Sequence, residues 1–217
     1  MKYLAERNEV LQTAQEISAA KLVNGTWGNV SRRVDEQPLM VITPSGMDYN
    51  TMTLEDMALI DFDFNLVEGE YKPSSETPLH LAIYKNRSDI GAIVHVHSPW
   101  ATAFAVAHQD IPVILEETAQ VIGHPVKVAS YARCGSSELA TNVINNLGKH
   151  DKALLLANHG LLGMGKNTAD ALRVCYIAEK TAMIASYATM LGAVNTLNPE
   201  DIKVLSEEFK YYGQKKK

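Results

Sequence analysis

The sequence predicts an α/β fold, a β-sheet sandwiched between helices, and three observations carry that prediction. Apolar residues recur at helical spacing in a segment near the N-terminus, including Leu4, Leu11, Ala14 and Ile17, and again from Thr168 to about Gly192. Between them lie short apolar runs rich in strand formers, such as Leu39 to Thr43 and Ile90 to His97. The two kinds of segment are mixed without strict alternation and no GxGxxG fingerprint occurs, which argues against a doubly wound dinucleotide fold.

The first helix runs from Leu4 through Leu22 and stops at Asn24-Gly25, a C-terminal signal. Leu39 to Thr43 and Met57 to Phe62 read as strands, with Asp63-Phe64-Asn65 and Glu68-Gly69-Glu70 supplying turn residues. Thr77 to Arg87 is a helix with Pro78 in its first turn. Ile90 to His97 is a β-branched strand, and an alanine-rich helix from Trp100 to His108 follows Ser98-Pro99. Val126 to Tyr131 is a further strand, Gly135 to Leu147 a helix and Ala153 to Ala157 a short apolar strand before the long helix. A last helix starts at Asn198-Pro199, a cap followed by proline at the first helical position. With no repeat, low-complexity linker or composition break, residues 1–217 are expected to form one domain.

The chain has 217 residues, 46% hydrophobic, with 20 Lys and Arg against 25 Asp and Glu for a formal charge of −5. At this length a compact fold buries roughly 70% of its extended surface, so any metal is expected to be functional rather than structural. An acidic balance does not suit nucleic acid, whose phosphates require a clustered basic surface. The one basic cluster, Lys215-Lys216-Lys217, is expected to be a solvated end. Charges interrupt the N-terminus before an apolar signal core can form, and no run approaches membrane-spanning length, so no membrane partner is expected. Cys134 and Cys175 stand in no CxxC arrangement, which excludes a disulfide framework and fits a reducing cytoplasm.

The chemistry begins with His95-Val96-His97. On a strand alternate side chains share a face, so the two imidazoles point the same way, rooted about 6.6 Å apart, and can converge on one ion. Asn158-His159-Gly160 follows an apolar strand and adds a third histidine at a strand-end turn. Glu76, in Ser74-Ser75-Glu76-Thr77-Pro78 at a helix N-terminus, supplies a carboxylate. Three histidines and a carboxylate suit Zn²⁺, with Mn²⁺ or Co²⁺ as alternatives, and a displaceable fourth ligand leaves an open catalytic position.

Three small polar segments are suited to an anion: Gly28-Asn29-Val30-Ser31, Thr43-Pro44-Ser45-Gly46 and Ser74-Ser75. Taken with the metal ligands they form a candidate phosphate cradle. Gly160 to Asn167 nearly matches a Walker A loop, but Asn167 stands where the Mg²⁺-binding hydroxyl belongs, and the segment is rejected as a nucleotide site.

In their order and approximate spacing these segments resemble the class II aldolase/adducin-like family, and the resemblance runs nearly end to end. It implies a largely antiparallel central sheet flanked by helices, a homotetramer with active sites at subunit interfaces, and one divalent metal per subunit, usually zinc. Carried over by position, it implies His95, His97 and His159 as metal ligands, with Glu76 as acid/base and as a ligand when substrate is absent. It implies Asn29, Ser45, Gly46, Ser74 and Ser75 as phosphate contacts. A catalytic tyrosine from a neighbouring subunit falls on Tyr212, and Glu116 stands where the sugar-phosphate aldolases carry a tyrosine proton donor.

The activity so implied is reversible cleavage of a ketose 1-phosphate, L-fuculose 1-phosphate or a related deoxy sugar, to dihydroxyacetone phosphate and an aldehyde. Related reactions are a pentose-phosphate 4-epimerase and a methylthioribulose-phosphate dehydratase. The His-Ala-Asp type motif implied for the epimerases is not found after Pro112. A non-catalytic adducin-like head is the alternative of a different class, and the retained histidines and Glu76 count against it.

Overall fold

The computed structural model describes residues 1–213. Its element order is α1 (Leu4–Ala19), β1 (Asn29–Arg33), β2 (Leu39–Ile42), β3 (Ala58–Asp61), β4 (Leu66–Glu68), α2 (Thr77–Asn86), β5 (Ala92–Val96), α3 (Pro99–Ala107) and α4 (Glu116–Val121). There follow β6 (Val128–Ala129), α5 (Ser137–Asn146), β7 (Ala153–Leu156), β8 (Gly160–Gly165), α6 (Thr168–Leu191), α7 (Pro199–Glu208) and a 3₁₀ turn, Phe209–Tyr211. The strands form one eight-stranded sheet in the order β4-β3-β2-β1-β5-β8-β7-β6. Its neighbours pair antiparallel except β6 and β7, which run parallel. The expected α/β sandwich about a largely antiparallel sheet is borne out.

Strand alternation divides the core into two layers. On one face Val41, Val94, Val96, Leu155 and Leu161 pack against residues of α1, α3 and α6 such as Ile17, Ala105 and Ala178. On the other, Met40, Ile42, Ile93, Leu154 and Leu162 meet Leu79 and Ile83 of α2 and Leu139 and Val143 of α5. The α6 face is lined by small residues, Ala171, Cys175, Ala178 and Ala182, so the helix lies directly on β8. Gly163 of β8 is required by that approach, since a Cβ there would sit 2.5 Å from both the Ala171 carbonyl oxygen and Cys175 Sγ.

Several segments differ from the reading of the sequence, each for an identifiable reason. Gly28-Asn29-Val30-Ser31 was expected as a turn-like anion loop, whereas Asn29–Arg33 is a central strand. Its polar side chains are buried against partners rather than solvated, so they carry no apolar alternation. Gly160–Gly165 is likewise a strand, with Gly163 and Gly165 serving the approach of α6. β4 replaces part of an expected turn; two of its three residues are exposed at the sheet edge, so it has little apolar pattern. α4 is only 6 residues long, too short to register as a helical period. Val126 to Tyr131 shrinks to Val128–Ala129, with Val126 forming only an isolated bridge to Ile111. α1 ends at Ala19 rather than Leu22, and α5 begins at Ser137 behind its Ser136 cap rather than at Gly135. Lys215, Lys216 and Lys217 lie outside the described residues. Among the described residues no helix is long and apolar enough to cross a membrane.

Because Gly163 has backbone and sulfur at contact on the helix side, Gly163→Ala should destabilise the fold by about 1–3 kcal/mol. Chemical denaturation measures this, and an unchanged midpoint would show that α6 can move away without cost.

Candidate active site

β5 delivers His95 to the α2 face of the sheet, fully buried, and His97 follows one residue past the strand end. The His97 backbone N–H donates to the Leu22 carbonyl at 3.1 Å, tying this strand end to the chain after α1. His159 comes from the β7–β8 hairpin, which turns through Asn158 in the left-handed conformation at φ 55°. Asparagine tolerates that conformation. The turn is anchored by the Asn158 N–H on the Ala105 carbonyl and by Asn158 Oδ1, 2.7 Å from His108 Nε2. Gly160 lets the hairpin close, because a Cβ there would lie 2.5 Å from the Val96 carbonyl oxygen and 3.1 Å from both imidazoles of the His95/His97 pair.

The three rings meet edge to face. His95 Nε2 lies 2.9 Å from His97 Nε2 and 3.3 Å from His159 Nε2. The His95 Nδ1–H donates to the Leu161 carbonyl at 3.0 Å, which fixes the tautomer and leaves the Nε2 lone pair facing the other rings.

Glu76 completes the floor from the N-terminus of α2, 3% exposed. One carboxylate oxygen, Oε2, accepts from Asn29 Nδ2 at 2.8 Å and lies 3.1 Å from His95 Nε2. The other, Oε1, is 3.7 Å from His159 Nε2 and makes no hydrogen bond among the described residues.

What holds Glu76 there is a polar ladder between β1 and α2. Asn29 meets Glu76, Ser31 Oγ lies 2.7 Å from both His80 Nδ1 and Tyr84 Oη, and the Arg33 guanidinium sits 4.8 Å from the Tyr84 ring centre. Two residues of strand advance about 6.6 Å. Four residues of helix advance about 6 Å, so the two series stay in step.

A cation resolves this arrangement. Three imidazole nitrogens face one another beside a carboxylate, with Glu76 Oε2 3.1 Å from His95 Nε2, and Glu76 Oε1 is buried with no hydrogen-bond donor. Around a tetrahedral Zn²⁺ at about 2.0–2.1 Å, ligand nitrogens stand about 3.3 Å apart, close to the spacings of His95 to its neighbours. His95, His97, His159 and Glu76 therefore fit a divalent metal.

The floor opens into a pocket of about 270 Å³ whose walls include Asn29, Ser45, Gly46, Ser74 and Ser75. The Pro44–Pro73 bridge and the Ser74 N–H on the Thr43 carbonyl join the two loops that carry them. Ser74 Oγ accepts from the Glu76 N–H at 3.2 Å, which leaves its own hydrogen free to donate. All five anion candidates are thus brought to one pocket with the metal candidates, although Asn29 points its amide at Glu76. A larger cleft of about 1230 Å³ lies beneath α7 and contains none of these residues.

Trp27 and Cys134 also line the site pocket, and reading the sequence had missed both. Trp27 precedes the Gly28 segment and marked no chemistry, and Cys134 lies in a turn far along the chain with no motif around it. Glu116 is exposed in the first turn of α4, outside the pocket. Tyr212 is 81% exposed beyond the 3₁₀ turn. The neighbouring Phe209 and Lys210 line a cleft with Gly165 and Lys166, at the end of β8 opposite Leu161 and the histidines. Within one chain Tyr212 does not join the pocket.

Burial pushes the His95 imidazole down to about 3, helped by the neighbouring His159, and His97 is lowered to about 3 by burial and by His95 and His159. His80, within the ladder, is lowered to about 3 by burial. Burial and the Glu76 charge push the Cys134 thiol up to about 11. His95 and His97 are therefore neutral at physiological pH, the protonation state that ligation requires.

A buried carboxylate amid neutral imidazoles, under a polar pocket, defines a metal-dependent enzyme rather than a binding scaffold. The comparisons agree: residues 8–186 match the class II aldolase and adducin N-terminal domain. The chain belongs to the class II aldolase family and is a metal-dependent lyase of that family. It is 34% identical over 209 residues to a 5-deoxy-D-ribulose 1-phosphate aldolase of Bacillus thuringiensis serovar kurstaki, covering 96% of this chain and 97% of that protein. It is also 34% identical to an L-ribulose-5-phosphate 4-epimerase of Salmonella paratyphi B, covering 96% and 98% of the two chains. The solved structure of an L-fuculose 1-phosphate aldolase superposes with a TM-score of 0.90 at 35% identity, covering 97% and 98%.

A histidine held neutral by the fold takes up a proton on unfolding below pH 6.5 but not in the native state until pH nears 3. The stability contributed by His80, His95 and His97 is thus fully present above pH 6.5 and lost as pH falls toward 3. The melting temperature of the metal-free protein should fall progressively across that window, and a flat profile would contradict the assignment of neutral buried imidazoles.

Proposed function

We propose that this protein is a zinc-dependent aldolase that reversibly cleaves a ketose 1-phosphate, L-fuculose 1-phosphate or a related deoxy sugar, to dihydroxyacetone phosphate and an aldehyde. The observation that carries the reading is the convergence of His95, His97, His159 and Glu76 at the base of a pocket walled by serine and glycine. A divalent cation bound there supplies Lewis-acid stabilisation of the negative charge that develops on substrate oxygens as the carbon–carbon bond breaks.

The chain's own groups divide the remaining work. Ser45, Gly46, Ser74 and Ser75 bind the phosphate through hydroxyl and backbone N–H groups near the N-terminus of α2, with Asn29 at their edge. Asn29 orients Glu76 by holding Oε2, so the unpaired Oε1 is the oxygen that moves a proton at the reacting carbon. Tyr212 or Glu116 exchanges a proton with the aldehyde oxygen. The position of Tyr212, at the sheet end away from its own site, supports delivery to a neighbour's site in a homotetramer. The chain acts as one catalytic domain spanning 1–217 in the cytoplasm, where its two cysteines remain free thiols.

The second reading is a pentose-phosphate 4-epimerase, favoured by the 34% identity to the Salmonella enzyme. Both reactions cleave a bond beside a carbonyl, and the product distinguishes them. With metal restored, a coupled assay for triose phosphate across ketose 1-phosphates should give turnover, whereas pentose 5-phosphate interconversion without triose release would favour the epimerase. Glu76→Gln keeps the shape but cannot carry the proton, so turnover should fall by about 10² to 10⁴ with metal content much less affected. Normal exchange of the dihydroxyacetone phosphate proton with solvent in that variant would remove Glu76 from the role.

The placement of Tyr212 is tested by mixing subunits. His97→Ala and Tyr212→Phe proteins, each nearly inactive, should regain partial activity when reassembled together. A mixture as inactive as its components would mean that the tyrosine does not act in trans.

A further inference from the structure

Serine, glycine and titratable groups make up most of the pocket wall, and Trp27 is the exception. Among the described residues that line the pocket it is the one large apolar side chain, and it is 66% exposed. An indole on a loose turn would have no fixed relation to the site, but the main chain beneath this one is held at two points. Gly28 has φ 93°, and a Cβ there would lie 2.7 Å from both the His95 carbonyl oxygen and Val23 Cγ1. The chain is therefore seated directly on the strand that carries His95, in a conformation that favours glycine. The buried Tyr49 hydroxyl donates to the Gly28 carbonyl at 2.6 Å and fastens the same residue a second time.

Topology decides where the ring stands. β1 begins at Asn29, which pairs with His95 of β5. Its other neighbour is β2, which ends at Ile42 and leads into the loop of Ser45 and Gly46. The residues just before Asn29 thus enter between a metal-ligand strand and an anion loop, and Trp27 lines the pocket together with His97, Ser45 and Gly46. A sugar phosphate that reaches from that loop to the histidines carries its carbon chain past the indole.

We infer that Trp27 is a substrate-contact residue whose indole covers the carbon segment between the phosphate and the histidine floor. This rests on the aldolase reading of the site. The anion loops and the floor offer polar contacts, which orient the two ends of the segment and leave its C–H faces bare. Ligand sites commonly set an apolar or aromatic wall beside a few such polar groups. An indole covers the bare faces at low entropic cost, because its main chain is already fixed and only two side-chain torsions remain to be ordered.

The test reads the indole itself. The full chain, loaded with Zn²⁺, is titrated with dihydroxyacetone phosphate while tryptophan emission and acrylamide quenching are followed, beside Trp27→Phe, in which Trp100 is the remaining tryptophan. Trp100 packs against Tyr187 with ring centres 5.2 Å apart and is not part of the pocket wall, so it should not respond. Wild-type emission should move to shorter wavelength and quenching should fall by about twofold or more as the ring is covered. Trp27→Phe should show neither change. In the cleavage assay Trp27→Ala should raise KM for the ketose 1-phosphate by about tenfold, more than it lowers kcat, and Trp27→Phe should recover most of that loss. Binding heat from dihydroxyacetone phosphate without any change at the indole, or an equal response in Trp27→Phe, would overturn the contact while sparing the aldolase reading. A fall in kcat at unchanged KM in Trp27→Ala would likewise overturn it, since that pattern marks a structural role. Failure of the zinc-loaded wild type to bind dihydroxyacetone phosphate at all would overturn the aldolase reading together with this inference.

Discussion

The site depends on the register between β1 and α2. A strand that places alternate residues on one face and a helix that returns every fourth residue to one side have nearly equal repeats, so three polar contacts can be stacked without distorting either element. Asn29 with Glu76, Ser31 with His80 and Tyr84, and Arg33 over Tyr84 are those contacts. Buried polar groups are costly when unpaired, so the ladder specifies one helix position over its neighbours: a shift by one residue would orphan several of them at once. Glu76 is the last rung, and its placement follows from the rungs behind it.

The histidines are assembled differently, by the crossing of a strand end and a hairpin. β5 lies between β1 and β8, so His95 has Asn29 opposite on one side and Leu162 on the other. The hairpin then folds His159 over the same face. Close approach is possible only because residue 160 lacks a side chain, and the same packing that excludes water lowers the proton affinity of His95 and His97. Neutral imidazoles and an ionisable carboxylate held in one small volume favour a cation over any ligand that carries only hydrogen-bond acceptors.

The floor and the mouth of the pocket are built to different standards of rigidity. His95, Asn29 and Glu76 are buried on regular elements, whereas Ser45, Gly46, Ser75 and Cys134 are exposed on turns. On the proposed function, the groups that hold a charge in place sit on the frame and the groups that admit a substrate sit on loops. The carboxyl-terminal aromatic residues fit neither category within one chain, because α7 packs against α4, far from the chain's own floor.

Local sequence determined a good deal here. The two-residue period of a strand is enough to put His95 and His97 on one face, proline after Glu76 marks a helix start, and an asparagine before His159 marks a tight turn. The resemblance of five short segments then picked out Glu76, His97, His159, Asn29, Ser45, Gly46, Ser74 and Ser75, which the fold gathers around one pocket, with His95 at their back. Tertiary structure alone decided that Asn29–Arg33 is a central strand, because its polar side chains are satisfied by α2 partners 47 to 53 positions away and so lack the apolar alternation that identifies a strand. It also decided that the glycines of Gly160–Gly165 serve close packing, since what replaces a missing side chain comes from α6 and β5. The place of Cys134 beside Glu76 was beyond the sequence for the same reason. Periodicity reports which way a residue faces on its own element, and only the packing of distant elements reports what it faces.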